Sequence, residues 1–148
     1  MNKDRLFRRI YQQQFDNLKS SVIETPPQGW VKTMRKFMGM TQEQLAEKMG
    51  CEPVFISRIE NNKTNPTIKT MEKIADALGC EFYYGFLPRK SYEDIFYEQA
   101  TKKAKKILEK INQNMGLENQ TPNQELLLNE ITEELLNGKI SKIWEDDI

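Results

Sequence analysis

The stretch Thr41-Gln42-Glu43-Gln44-Leu45-Ala46-Glu47-Lys48-Met49-Gly50-Cys51-Glu52-Pro53-Val54-Phe55-Ile56-Ser57-Arg58-Ile59-Glu60-Asn61 decides how this chain folds. Thr41 is a good N-cap, because its hydroxyl accepts from an otherwise orphaned backbone N–H of the first turn. Gln44, three residues on, completes a capping box. Leu45, Ala46 and Met49 form one apolar face, and Ala46 is small where a second helix must cross closely. Gly50 permits the left-handed turn that ends a helix. A second helix restarts after Cys51, with Glu52 at its cap and Pro53 at its first position, where the missing N–H costs nothing.

Two short helices joined by a Gly turn, with Ala at the crossing, make a helix-turn-helix. The second runs from about Pro53 to Asn61. Ile56, Ile59 and Glu60 share its inner side. Pro53, Val54, Ser57, Arg58 and Asn61 fall on the opposite side, the set a recognition helix presents to a major groove. Arg58 can hydrogen-bond bidentately to a guanine edge, and Val54 and Phe55 can pack on a thymine methyl group. Asn61-Asn62-Lys63-Thr64-Asn65 reads as a polar turn suited to hold a phosphate through amides, a hydroxyl and an ammonium. Gln42, at the positive end of the preceding helix, can anchor another phosphate. The candidate DNA-binding residues are therefore Gln42, Pro53, Val54, Phe55, Ser57, Arg58, Asn61, Lys63 and Thr64.

Two charges sit on otherwise apolar faces. Val31, Arg35 and Met38 are spaced i, i+4, i+7, which places Arg35 on a buried stripe, and Glu60 lies on the inner side of the second helix. An unpaired buried charge is very costly. The spacing predicts that Arg35 and Glu60 pair with each other, as a structural rather than a catalytic couple.

Outward from this centre, Asp4 to about Val22 reads as a basic helix striped by Phe7, Tyr11, Phe15, Leu18 and Val22. Thr25-Pro26-Pro27-Gln28-Gly29 breaks it. Residues 29 to about 77 read as four short helices. Cys80 to Leu87 is aromatic and ends at Pro88, which predicts a strand with Phe82, Tyr84 and Phe86 on one face. A lone strand cannot satisfy its own backbone; pairing with its copy in a second subunit would do so, and the alternative is that these aromatics cap the four-helix core. Ser91 and Asp94 suggest a capping box for a long helix striped by Phe96, Ala100, Ala104, Ile107 and Ile111, with a Lys-rich opposite face. Thr121-Pro122-Asn123-Gln124 suggests another box, for a helix carrying Leu128, Ile131 and Leu135 and ended by Gly138. Ile140, Ile143 and Trp144 precede an acidic tail.

The 148 residues carry 22 Lys/Arg and 22 Asp/Glu, so the formal net charge is zero. The distribution is uneven: +5 over residues 1–40, −2 over 41–88, +3 over 89–113 and −6 over 114–148. That balance argues against binding nucleic acid by bulk charge alone, and leaves room for a basic face with an acidic tail. The basic first helix could reach a DNA backbone or pack on the acidic last one. The chain has no His and two Cys, Cys51 and Cys80, too few for a structural zinc site or a disulfide framework. No apolar run approaches a membrane span or a signal core. The composition points to a cytoplasmic, non-enzymatic protein without metal or cofactor.

Gly39 to Ala46 with Ile56-Ser57-Arg58-Ile59-Glu60-Asn61 resembles the lambda-repressor-like (XRE) helix-turn-helix family, and Thr70 to Gly79 resembles its fourth helix. The resemblance implies that the family's DNA contacts fall on the candidate residues from Gln42 to Lys63. The sequence departs at Glu52 and Pro53: Glu52 would repel phosphate, and Pro53 cannot read a base by hydrogen bonding. Over the whole chain, Arg8-Arg9, Phe15-Asp16-Asn17-Leu18, Pro26-Pro27-Gln28-Gly29-Trp30-Val31, Leu78-Gly79-Cys80-Glu81-Phe82-Tyr83-Tyr84, Leu87-Pro88-Arg89-Lys90-Ser91, Glu134 to Gly138 and Trp144-Glu145-Asp146 resemble the bacterial mobile mystery protein A family. That kinship implies the antitoxin-like regulator of a two-gene module whose other product carries a Fic domain. Fic inhibitors often insert a helix with Ser or Thr, three residues, Glu, then Gly or Asn. Ser20 with Glu24 and Ser141 with Glu145 come nearest, and neither has the final Gly or Asn.

The expected fold class is therefore mostly α: a lambda-repressor-like bundle over 29–79, preceded by a basic helix and Pro linker at 1–28. A dimerising strand follows at 80–88, and a helical extension with an acidic tail at 89–148. The expected function is a sequence-specific repressor acting as a homodimer on a palindromic operator of double-stranded DNA, with a Fic-domain toxin as partner and no membrane. The alternatives are a solitary XRE-family transcription factor and an interaction protein that no longer reads DNA.

Overall fold

The computed structural model describes residues 2–116 and 122–146. Its elements, in order, are α1 (Lys3–Lys19), α2 (Trp30–Phe37), α3 (Gln42–Met49), α4 (Pro53–Glu60), α5 (Ile68–Ala77), α6 (Tyr92–Met115), α7 (Pro122–Asn137) and a terminal 3₁₀ turn (Ile140–Trp144). The chain divides into two compact units. One is Ser21–Phe86; the other joins Met1–Ser20 to Leu87–Ile148.

The Ser21–Phe86 unit is built around one core. Val31, Leu45, Ala46, Ile56, Ile59, Ile74 and Leu78 are buried together, with Met34, Met40, Met49, Met71 and both cysteines packed at its edge. Leu45 and Ile56 are fully enclosed, and burying such a side chain stabilises a fold by about 1.5–3 kcal/mol. The local signals around α3 are realised in full. Thr41 Oγ1 accepts from the Gln44 N–H, and the Gln44 side chain accepts from the Thr41 N–H. Gly50 stops the helix at φ 66°, a left-handed conformation that favours glycine. Pro53 opens α4, but Glu52 occupies the cap position without a side-chain capping bond. The α2 stripe also turns from the expected one: Val31 and Arg35 are buried with Met34 beside them, while Met38 is the exposed C-cap residue.

In the second unit, α1 touches the first turns of α6 at two points. Gln12 Oε1 accepts from the Tyr92 N–H at 3.0 Å, and the Arg8 guanidinium sits 5.1 Å from the Phe96 ring centroid. None of the α1 residues is buried: the stripe of Phe7, Tyr11 and Leu18 stays exposed, and Phe15 is half-buried. The basic first helix thus meets the long helix α6. On α6 the buried stripe is Ala100, Lys103, Ala104, Leu108 and Asn112, rotated from the expected one; Ile111 faces solvent. The cause is the partner. α7 packs on the small-residue side of α6, where Asn112 Nδ2 donates to Gln124 Oε1 at 2.8 Å. Ser91 caps α6 by accepting from the Asp94 N–H. The capping box expected at Thr121 lies outside the described residues.

The terminal turn is fastened to α6 by backbone acceptors. Ile143 is fully buried, Gln99 Nε2 donates to its carbonyl at 2.9 Å, and Lys103 Nζ donates to the Lys142 and Glu145 carbonyls at 2.5 and 3.1 Å. Ser141 and Glu145 therefore sit on a 3₁₀ turn and the extended residue after it, and Ser20 caps the end of α1 with no helix beyond, so neither pair lies within an α-helix.

The expected strand at 80–88 is not formed; no strand occurs among the described residues. A strand exists only with a ladder partner, and the described residues offer this segment none. Phe82 and Tyr84 do share a side, with ring centroids 5.6 Å apart. Phe82 is half-buried, whereas Tyr84 and Phe86 are exposed, Phe86 at 96%.

Candidate nucleic-acid interface

Arg35 joins α2 to α4 and to the turn before α3 through one side chain. From α2, its Nε donates to Glu60 Oε1 at 2.6 Å and its Nη2 to Glu60 Oε2 at 3.1 Å, at the end of α4. Its Nη1 donates to the Met40 carbonyl at 2.8 Å, in the turn that enters α3. The two charged side chains are 10% and 2% exposed. Burial alone pushes the Glu60 carboxyl up. Hydrogen bonds from Arg35 and Gln42, with the charges of Arg35 and Lys32, outweigh that and hold it below the usual glutamate range. The hydrogen bonds that Arg35 donates to Glu60 outweigh its desolvation and raise its pKa.

By its position in the sequence Gln42 is expected to face a phosphate. In the free chain its side-chain amide instead donates to Glu60 Oε2 at 2.7 Å, so it is half-buried and completes the carboxylate's hydrogen-bond shell. Sequence reasoning misses the Met40 carbonyl and the charge of Lys32. A signal for the first is there: a guanidinium has five donors, more than one carboxylate can take, and Met40 follows a helix-ending Gly39.

With Glu60 held inward, the other side of α4 faces out. Val54 is 54% exposed and Phe55 37%, large apolar side chains left in water. Arg58 and Asn61 flank them. Asn61 is exposed, Pro53 and Ser57 are half-buried, and Asn61 Nδ2 donates to Ser57 Oγ at 3.3 Å. The turn after α4 is tight. Asn62 adopts φ 56°, tolerable for Asn, and the Lys63 N–H donates to the Arg58 carbonyl at 2.9 Å. Lys63 and Thr64 are exposed on it. The structure thus gathers Val54, Phe55, Arg58, Asn61, Lys63 and Thr64 on one surface and withdraws Gln42 into the network behind it.

Among the described residues, no group of His, Cys, Asp and Glu is placed to hold a metal, and no helix is long and apolar enough to cross a membrane.

A family model described as helix-turn-helix matches residues 31–84. The immunity repressor of Bacillus phage phi105 is 39% identical over 51 residues, 34% of this chain and 35% of that protein. The antitoxin HipB of Escherichia coli K12 is 42% identical over 48 residues, 32% of this chain and 54% of that protein. An uncharacterised HTH-type transcriptional regulator of Methanothermobacter thermautotrophicus is 35% identical over 66 residues, 45% of this chain and 83% of that protein. The chain thus spans about a third of the phage repressor and about half of HipB. No solved structure matches it. The matched segment runs from the second residue of α2 through α5 and contains the Arg35–Glu60 couple, and by the extent of its likeness to the Methanothermobacter regulator the chain belongs to the XRE-like helix-turn-helix family of transcriptional regulators.

Proposed function

We propose that the chain is a sequence-specific DNA-binding repressor whose α4 reads the major groove. The observation that carries this reading is the two-sidedness of α4: Glu60 is bonded inward while Val54 and Phe55 stand in solvent beside Arg58. Arg58 reads a guanine edge; Val54 and Phe55 meet thymine methyls. Lys63, Thr64 and Asn61 hold backbone phosphates. Gln42 can serve a phosphate only by sharing or leaving Glu60. Names of similar proteins, a repressor and an antitoxin among them, support the regulatory role.

Two finer points belong to the same reading. Pairing of residues 80–87 with their copy in a second chain makes a two-fold dimer, with recognition helices about 34 Å apart. The exposed Tyr83, Tyr84 and Phe86 support it, because the segment makes no backbone ladder within the chain. The partner is a Fic-domain toxin encoded beside the chain; the whole-chain resemblance to the mobile mystery protein A family supports this, as does the likeness to HipB for a toxin partner in general.

The test is a mobility shift and footprint on the DNA upstream of the chain's own gene, over a range of salt. Protection of an inverted repeat with half-sites near one helical turn is expected. Absence of binding at any salt would refute the reading. One observation favours an interaction protein instead: Glu52 puts an exposed carboxylate at the start of α4, where a phosphate would approach. Glu52→Gln separates the two, since it should tighten duplex binding and leave a protein complex unaltered.

A further inference from the structure

Helix α6 has a charged face that neither its own packing nor the α4 surface uses. Lys102, Lys105 and Lys106 are exposed on the side opposite the buried Ala104 and Leu108 stripe, and Lys110 continues the row. Like charges at i, i+3 and i+4 repel on a helix surface, and here Lys102–Lys105, Lys102–Lys106 and Lys106–Lys110 all stand at such spacings.

Carboxylates able to relieve that repulsion are close at hand. Glu109 shares the face, and α7, packed on α6, exposes Glu125, Glu130, Glu133 and Glu134. Lys105, Glu109 and Glu125 even line one groove of about 320 Å³. Yet among the described residues the ion pairs are Arg35–Glu60 and Lys90–Glu98, and none involves Lys102, Lys105 or Lys106. By contrast Lys103, one residue away, is buried and spends its ammonium on two carbonyls of the terminal turn. The helix thus separates one structural lysine from a row turned to solvent.

We infer that the Lys102–Lys105–Lys106 face is a second, sequence-independent contact that takes the phosphate backbone of duplex DNA. A cluster of three ammonium groups over about one helical turn suits a polyanion with regularly spaced charges and reads no base. Residues 80–90 link α5 to the capped start of α6. The α4 surface and the lysine row therefore belong to one continuous chain. Tethering makes the second contact effectively intramolecular and multiplies affinity without adding specificity.

This inference rests on the duplex-binding reading of α4, and the test separates the two. The full chain, wild type and Lys102→Gln/Lys105→Gln/Lys106→Gln, is titrated against its upstream DNA and against a mixed-sequence duplex at several salt concentrations. The triple variant should bind both duplexes more weakly by the same factor. The magnitude of its salt slope should fall by about 2–3, near 0.9 for each phosphate that is no longer neutralised. The triple Lys→Arg variant should restore the slope, and Arg58→Ala should narrow the discrimination between the duplexes without the loss of slope seen in the triple Gln variant. A wild-type chain that binds, with a triple Gln variant of unchanged slope, overturns this inference alone. A wild-type chain that binds no duplex overturns this inference and the reading of α4 together. Thermal unfolding matching wild type verifies that the Gln variant is folded.

Discussion

Arg35 on α2 grips both carboxylate oxygens of Glu60 on α4, at 2.6 and 3.1 Å, while its remaining terminal nitrogen reaches the Met40 carbonyl. The couple is the polar centre of a unit otherwise closed by Leu45, Ile56 and Ile74. Removing one partner leaves the other buried without its counter-charge, which costs about 3–5 kcal/mol. Arg35→Ala should lower the denaturant midpoint accordingly. The apolar double replacement, Arg35→Met with Glu60→Leu, should recover most of that loss. Equal destabilisation by single and double variants would mean that lost packing, not unpaired charge, sets the penalty.

The same couple predicts the response to acid. Glu60 holds its proton more weakly in the folded chain than in the unfolded one. Its contribution is complete above the ordinary glutamate value of about 4.3 and fades as pH falls through the lower native value, because unfolding then takes up a proton. Stability of the wild type should therefore drop on going from pH 5 into this range faster than that of Glu60→Gln. Parallel acid limbs in urea titrations would remove Glu60 from the account. Raising the Arg35 pKa adds stability that persists across the whole neutral range.

Arg58 and Lys63 should fail in different ways. Arg58→Ala should cost about 1–3 kcal/mol on the preferred sequence and relax one base position. Lys63→Ala should weaken all duplexes alike and lower the salt slope by about one. Equal loss on every sequence for Arg58→Ala would assign that side chain to phosphate, and an unchanged slope for Lys63→Ala would strike it from the contacts.

Tyr83→Pro should produce monomers, because proline removes a ladder donor and is tolerated only at sheet edges or bulges. Sedimentation velocity distinguishes the outcomes. A dimer of undiminished affinity would place the interface away from residues 80–87.

Much of the central unit is legible in the sequence, because its signals are local and each is decided by sterics or by one hydrogen bond. Thr41, Gln44, Gly50 and Pro53 mark helix ends regardless of what packs on them. The Arg35–Glu60 couple is legible from periodicity plus the cost of burying charge. What depends on partners is not. Periodicity puts the α6 stripe on Phe96, Ala100, Ala104, Ile107 and Ile111; the two alanines are buried as expected, but what packs on the helix turns the rest of the buried side to Lys103, Leu108 and Asn112. Position alone turns Gln42 outward; the competing claim of Glu60 on its amide arises only in three dimensions. The aromatic segment at 80–88 carries strand propensity without a partner among the described residues, and propensity alone makes no ladder.

The convergence of Arg35 and Gln42 on one carboxylate has a consequence for selectivity. The orientation of α4 is settled during folding, so association spends little entropy on ordering it. A surface that does not adjust transfers the burden of fit to its counterpart. On the proposed duplex-binding reading, discrimination should then depend partly on how readily each duplex bends, at steps the protein never touches.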